Sequence, residues 1–208
     1  MVDSISCDIV LLPEPKLATE AIAVSQRLSA QFDTLYTLTD GFCFPHMSLY
    51  MTQLKSEDIE KAKTLLAAIA KQRSALDLQS MRYYQSHGYI DAEYERPAVL
   101  ADLQMAVVNA INPIRDDLRE SDKVRMLTGT GKVRENIEKY GYRGVGELFR
   151  PHVSFTRFAD EAAIDLAGAT LPQPESFAGQ FTRLGLFEMG ENGECLRKIA
   201  AFELERIT

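Results

Sequence analysis

The sequence predicts a mixed α+β fold with two sheets, arranged as two similar lobes around a shared cleft. Strand-like and helix-like hydrophobic patterns alternate along 208 residues, which is enough chain to bury a substantial core. A five-residue phrase also occurs twice, at 45–49 and at 151–155, about half a chain length apart. Each copy is a Pro, a His, an apolar residue, a Ser and another apolar residue. We therefore expect each lobe to present one His and one Ser to the cleft.

The first lobe is expected to begin with a strand over about residues 5–12, a β-branched and apolar run. Apolar residues at helical spacing then predict helix one over about 16–31, and residues 34–38 form a strand or an extended lead-in. The next strand carries the first phrase and alternates strictly. Its core face holds Met47, Leu49 and Met51, and its open face holds His46, Ser48, Tyr50 and Thr52.

The middle of the chain is predicted to contain two helices and a hairpin. Ser56 is the expected N-cap of helix two, and strands over 76–84 and 89–94 form the hairpin. Pro97 then opens a long apolar helix, which Pro113 should kink or split because proline removes a helical hydrogen bond.

Residues 119–150 are predicted to be the least regular part of the chain. They combine several glycines with a group of basic side chains, and they immediately precede the second phrase. A short helix over 132–140 is one option within them. The segment is either a functional edge of the cleft or a solvated connection between the lobes.

The second lobe repeats the strand geometry, with His152 and Ser154 on one face. Asp160 is the expected N-cap of a short helix. Two further strands, over about 180–188 and 195–205, complete the element order.

Composition and charge exclude several classes of protein. The net charge of −7 and a pI near 5.1 disfavour a protein that grips a long duplex through many phosphate contacts. The three cysteines share no CxxC spacing, so we expect neither a disulfide framework nor a zinc site. No apolar run approaches the length of a membrane span, and the N-terminus lacks the pattern of a signal peptide. We expect a cytoplasmic protein that does not bind membranes.

The repeated phrase predicts acid–base chemistry. A His at position i and a Ser at i+2 project from the same face of a strand, about 6.6–6.8 Å apart along it. Two such strands place two imidazoles and two hydroxyls around one cleft. One neutral imidazole can take a proton while the other, as imidazolium, gives one. A single His-x-Ser is usually core or surface filler, whereas two copies with matching flanks are informative.

These residues resemble the two-histidine (2H) phosphoesterase superfamily, which includes 2′-5′ RNA ligase-like proteins and cyclic phosphodiesterases. The resemblance rests on His46-Met47-Ser48-Leu49 and His152-Val153-Ser154-Phe155. It implies one bilobal, duplicated α+β domain over 1–208, in which two antiparallel-type sheets face a central cleft and the helices lie outside. It also implies that His46 and His152 are catalytic, that Ser48 and Ser154 bind phosphate, and that neither a metal nor another cofactor is needed.

The reaction implied by the resemblance is hydrolysis of a cyclic 2′,3′-type or 2′-5′ phosphodiester in a small nucleotide or at an RNA terminus. Two alternatives remain open: a 2′-5′ RNA end-joining ligase and a non-catalytic nucleotide-binding module. Tyr50, Arg150 and Arg157 are further candidate substrate contacts. Strand parity favours Arg150, because Arg157 lies five residues from His152 and should face away from it unless a bulge intervenes.

Overall fold

Two antiparallel sheets form the framework of this computed structural model, which describes residues 3–205. The strands are β1 (Ser4–Pro13), β2 (Met47–Lys55), β3 (Leu76–Leu78), β4 (Ser80–Ser86), β5 (Tyr89–Tyr94), β6 (His152–Arg157), β7 (Gly179–Met189) and β8 (Cys195–Glu203). The helices are α1 (Pro15–Ser29), α2 (Ile59–Ala70), α3 (Ala98–Ile111), α4 (Glu120–Thr128), α5 (Gly131–Tyr140) and α6 (Ile164–Gly168). The predicted α+β class with two antiparallel sheets is confirmed.

The sheets place the two repeated phrases opposite each other. In the five-stranded sheet the order is β2-β1-β7, and the far side of β7 pairs with β3 at one end and with β8 along the rest. In the three-stranded sheet the order is β4-β5-β6. The motif strands β2 and β6 are therefore edge strands of different sheets, and they contact each other across the molecule.

The two sheets do not correspond to the two halves of the sequence. The five-stranded sheet combines β1, β2 and β3 with the C-terminal β7 and β8. The three-stranded sheet combines β4 and β5, from the first half, with β6, from the second. Each half of the chain thus contributes strands to both sheets.

Both sheets bury apolar side chains in one continuous core. Met47 and Leu49 of β2 are fully buried, and so is Phe155 of β6, whose ring packs 4.8 Å from that of Phe177. The helices cover the outer faces: α1 contacts β1 and β6, and α2 and α3 contact each other and the five-stranded sheet. Burial of these side chains supplies the main stabilising free energy and fixes the positions of the motif strands.

The helix ends and N-caps predicted from the sequence agree with the structure except at Ser56 and in residues 119–150. Helix α3 ends at Ile111, and Pro113 lies in the 3₁₀ turn that follows, as predicted. The Asp160 carboxylate accepts a hydrogen bond from the backbone N–H of Ala162, also as predicted. Ser56 does not cap α2, because its hydroxyl donates to the carbonyl of Asp3. Residues 119–150 are more regular than expected, since they contain both α4 and α5.

Within residues 3–205, no helix combines the length and the apolar character that a membrane crossing requires.

Candidate active site

A cleft of about 1220 Å³ lies between the two motif strands. His46 and Ser48 line it from the side of the five-stranded sheet, called the first lobe below, and His152 and Ser154 line it from the side of the three-stranded sheet, called the second lobe. The four residues that the repeat identified are thus brought together around one space. Their roles in catalysis and phosphate binding stay predictions at this point.

Both motif strands contain a β-bulge at the same place in the repeat. In β2 the register with β1 shifts at Leu49, and in β6 the register with β5 shifts at Phe155. Because a bulge inserts one extra residue, it reverses the alternation of the residues that follow. The residues that face the cleft are therefore at positions i, i+2 and i+5 of each motif: His46, Ser48 and Met51, and His152, Ser154 and Arg157.

The bulge in β2 corrects the prediction for Tyr50. Tyr50 is fully buried in the core, where its hydroxyl donates to the carbonyl of Tyr140 at 2.6 Å. It does not line the cleft, and Met51, expected in the core, does. Strict alternation from His46 to Leu54 was wrong because it ignored the extra residue.

The bulge in β6 also changes the assessment of Arg157. Arg157 lines the cleft, donates to the side-chain oxygen of Asn192 at 3.0 Å and lies over the ring of Tyr89. The expectation that its side chain faces away from His152 was wrong. The cause is the bulge at Phe155, which is the exception that the sequence analysis had left open.

Arg150 lines the cleft as expected, but acidic side chains hold it. Its Nη2 donates to Asp91 Oδ2 at 2.6 Å, and its Nη1 lies 3.6 Å from Glu93 Oε2. Its guanidinium also lies 4.2 Å from the centre of the Tyr84 ring. These contacts fix the guanidinium at the wall of the cleft and partly neutralise its charge.

The two histidines share one hydrogen-bonding arrangement. His46 Nδ1–H donates to the carbonyl of Phe44, and His152 Nδ1–H donates to the carbonyl of Arg150, both at 2.7 Å. A backbone carbonyl only accepts, so each Nδ1 carries a hydrogen. In the neutral imidazole the lone pair is then on Nε2. Each ring is fixed in the tautomer that proton transfer through Nε2 requires.

A buried carboxylate accompanies each motif, and sequence reasoning missed both. Ser48 Oγ donates to Asp8 Oδ2 at 2.6 Å, and Ser154 Oγ donates to Asp91 Oδ1 at 2.6 Å. The same carboxylates approach the imidazoles: Asp8 Oδ2 lies 3.7 Å from His46 Nε2, and Asp91 Oδ2 lies 3.9 Å from His152 Nε2. The available signal was a single acid in each of two otherwise uncharged and mostly apolar runs, residues 5–12 and 89–92.

The environment of His46 disfavours charge. The pKa of His46 is lowered to about 4, mainly by burial and in smaller part by the nearby His152, whereas hydrogen bonds to the backbone of Phe44 and Gly193 oppose the shift. Burial likewise raises the pKa of Asp8 to about 8, although the Ser48 hydroxyl and the charge of Arg119 oppose the shift. At neutral pH the first motif therefore favours a neutral imidazole beside a protonated carboxyl. His152 has a more exposed side chain, 25% against 10% for His46.

One group of side chains near the cleft has the chemistry of metal ligands. Ligand atoms of Asp8, His46 and Cys195 all lie within 4.8 Å of one another, and all three residues are buried. Carboxylate, imidazole and thiolate are the ligands that Zn²⁺ takes in proteins. Neither Asp8 nor Cys195 lines the cleft, so a cation held there would lie behind its wall and would engage His46.

Comparisons with known proteins identify the fold. The family model described as "Protein of unknown function (DUF1045)" matches residues 50–191. No curated protein matches the sequence significantly. Crystal structures of E. coli LigT complexed with phosphate and with 3′-AMP superpose with TM-scores of 0.55 and 0.56, at 11% and 13% identity. Each covers 98% of this chain and 99% of LigT.

A crystal structure described as a phosphoesterase gives a TM-score of 0.56 at 10% identity, covering 98% of this chain and 100% of that one. At such identities the similarity shows the fold. It confirms, at that level, the resemblance that the two His-x-Ser motifs indicated.

Proposed function

We propose that this chain, which belongs to the DUF1045 family, is a metal-independent phosphoesterase that hydrolyses a cyclic 2′,3′-type or 2′-5′ phosphodiester in a small nucleotide or at an RNA end. The observation that carries the proposal is the pair of histidines, which reach one cleft from two sheets with Nδ1 of each bonded to a backbone carbonyl. Two imidazoles in that tautomer can divide the acid and base roles between them. The LigT crystals with 3′-AMP and with ATP support a small nucleotide as the ligand class.

The asymmetry of the two motifs supports a proposal for which histidine is the base and which is the acid. His46 is the base, because burial keeps its imidazole neutral and its Nε2 lone pair available for a proton of the attacking water. The water oxygen forms a bond to phosphorus while the bond from phosphorus to the ribose oxygen breaks. His152 is the acid that protonates that departing oxygen, and the Asp91 carboxylate, 3.9 Å from its Nε2, stabilises the imidazolium.

Ser48 and Ser154 hold the phosphoryl oxygens in this proposal. A serine has one hydroxyl hydrogen, and in the free protein Ser48 Oγ is bonded to the Asp8 carboxyl while Ser154 Oγ donates its hydrogen to the Asp91 carboxylate. A protonated Asp8 can instead donate to Ser48 Oγ, which frees the Ser48 hydrogen for the substrate. Ser154 can turn away from Asp91 because Arg150 remains as a partner of that carboxylate.

The test is hydrolysis of adenosine 2′,3′-cyclic phosphate in excess chelator. We expect activity in the wild-type protein and a loss of about a hundredfold or more in His46→Ala and in His152→Ala, since each removes a general acid or base. The matched control is His87→Asn, which changes the third histidine; this residue also lines the cleft, in the turn between β4 and β5, but it belongs to neither motif. His87 has a φ of 51°, a conformation that asparagine tolerates. Full activity in either alanine variant would refute the proposal.

The same preparation separates hydrolysis from the two alternatives. RNA fragments that carry a 2′,3′-cyclic end, incubated with a 5′-hydroxyl partner, would yield joined product if the site is a ligase. Binding of cyclic nucleotides with no turnover would indicate a nucleotide-binding module. Because the protein has a net charge of −7, we expect it not to bind long nucleic-acid duplexes. We also expect the protein in the cytoplasm.

A further inference from the structure

The two lobes differ at the third cleft-facing position of the repeat. In β6 this position is Arg157, a cation on the cleft wall, and in β2 it is Met51. A phosphoryl group held between the two motifs would meet a guanidinium on one side only, if the motif strands were its only contacts.

Arg119 brings a guanidinium to the position that Met51 occupies. Its Nη1 donates to the Met51 sulfur at 3.1 Å, and it lies 3.6 Å from the sulfur of Met189. Arg119 lines the cleft although it is only 6% exposed. A cation in a separate part of the chain thus lies where the second lobe has Arg157.

The guanidinium of Arg119 is held rigidly on one edge. Nε donates to Asp122 Oδ2 at 2.7 Å, and Nη2 lies 2.5 Å from the same oxygen. The ring of Tyr142 lies 5.4 Å from the guanidinium carbon. Because Asp122 already fixes the Arg119 guanidinium, this side chain has little conformational entropy left to lose when a ligand binds.

The other edge of the guanidinium lacks a strong acceptor. Among residues 3–205, the partners of Nη1 are the two thioether sulfurs, which are weak acceptors. A buried charged donor normally has an anionic or carbonyl partner, because leaving it without one is costly. An anionic oxygen in the cleft would supply that partner.

The charge balance around Asp122 points the same way. Asp122 is fully buried and pairs with both Arg119 and Arg125, so two cations share one carboxylate. In the other lobe the pairs are balanced, because Asp91 and Glu93 face Arg150 and Arg82. Two more acidic residues that line the cleft, Asp117 and Glu120, form exposed ion pairs with Lys123. Solvent screens the charges of these exposed pairs.

We propose that Arg119 is a substrate-contact residue whose Nη1 donates to an anionic phosphoryl oxygen, and that Arg119 and Arg157 form a clamp with one guanidinium from each lobe. The proposal rests on the proposed function for the identity of the substrate. The clamp itself requires only that the cleft binds a phosphate group, and anion binding therefore tests it without any turnover.

The experiment measures the affinity of inorganic phosphate, adenosine 3′-monophosphate and adenosine by calorimetry. In Arg119→Gln we expect the two phosphate ligands to bind about ten- to a hundredfold more weakly, as for loss of a charge-assisted hydrogen bond. Adenosine, which carries no anion, should keep its affinity. Arg119→Lys should recover part of the loss, because it restores the charge without the fork.

The control variant is Arg134→Gln, which removes an exposed guanidinium paired with Glu138 on α5, outside the cleft. Arg119→Gln should fold, because Arg125 remains as a partner for Asp122. If it does not, a crystal of the wild-type protein soaked in phosphate decides: an anion oxygen should lie about 3 Å from Arg119 Nη1.

Three results would contradict the clamp. The first is an unchanged phosphate affinity in Arg119→Gln, and the second is a loss of adenosine affinity as large as the loss of phosphate affinity. The third is a bound phosphate that makes no contact with Arg119 Nη1. Failure of the proposed function looks different. In that case the wild-type protein turns over no phosphodiester, yet phosphate still binds and still depends on Arg119.

Discussion

Asp8 and His46 form a buried pair whose titration should be visible in protein stability. A carboxyl whose pKa rises from 3.8 to about 8 on folding favours the folded state at low pH, and this contribution is lost as pH rises through 8. An imidazole whose pKa falls from 6.5 to about 4 has the opposite effect, so its contribution is lost as pH falls through 4. Between pH 4 and 6.5 the two slopes cancel.

Above pH 6.5 only the Asp8 slope remains. We therefore expect the free energy of unfolding to fall by about 1–2 kcal/mol between pH 6.5 and 8, which is less than the full slope of about 1.4 kcal/mol per pH unit because one group is half-titrated at each limit. Urea unfolding at pH 5.5, 6.5 and 8 measures it. In Asp8→Asn, which has no titratable group at this position, the decline should disappear. A wild-type stability that rises between pH 6.5 and 8 would contradict the assignment of a protonated Asp8.

At the scale of the strand, the bulge at Leu49 makes Tyr50 a core residue. Tyr50→Phe removes a buried hydroxyl and leaves the Tyr140 carbonyl without that donor. We expect the free energy of unfolding to fall by about 1–2 kcal/mol, the usual cost of an unmade buried hydrogen bond. Chemical denaturation measures this value, and the cyclic phosphodiesterase assay should change by about twofold or less.

The control for Tyr50→Phe is Tyr84→Phe, because the ring of Tyr84 is 37% exposed at the cleft wall. This variant should leave stability nearly unchanged. If Tyr50→Phe instead kept full stability and lost activity, the hydroxyl of Tyr50 would have to reach the substrate, as strict alternation had implied.

The bulges also mark how far the sequence could predict the site. The repeat itself located His46, Ser48, His152 and Ser154, because alternation holds over the first three residues of each motif. It failed at Tyr50 and Arg157, since a bulge depends on the pairing of two strands that are distant in sequence. Asp8, Asp91 and Arg119 were missed for the same reason: their partners are fixed by tertiary contacts.

At the scale of the whole molecule, a ligand in the cleft would join the two sheets. Ser48 lies in the five-stranded sheet and His46 immediately precedes its strand β2, whereas His152 and Ser154 lie in the three-stranded sheet. A phosphate bound by both motifs must leave when the sheets separate on unfolding, so binding stabilises the folded state by mass action.

We expect phosphate at about 100 times its dissociation constant to stabilise the protein by about 2.7 kcal/mol, which is a rise of several degrees in melting temperature. Thermal unfolding in phosphate, with chloride at equal ionic strength as the control, measures the shift. The shift should be smaller in a Ser48→Ala, Ser154→Ala double variant. Equal melting temperatures in phosphate and chloride would argue against a shared anion site.

The exchange of strands between the halves has a consequence for how the chain can be divided. A fragment that ends before β6 contains β1 and β2 without β7, and β4 and β5 without their motif partner. Its complement carries β6, β7 and β8 with open edges that favour pairing with any other strand. Two separately made halves would therefore have to associate and pair their strands before either sheet could be complete. Although the motif occurs twice in the sequence, we expect neither half of the chain to form the cleft on its own.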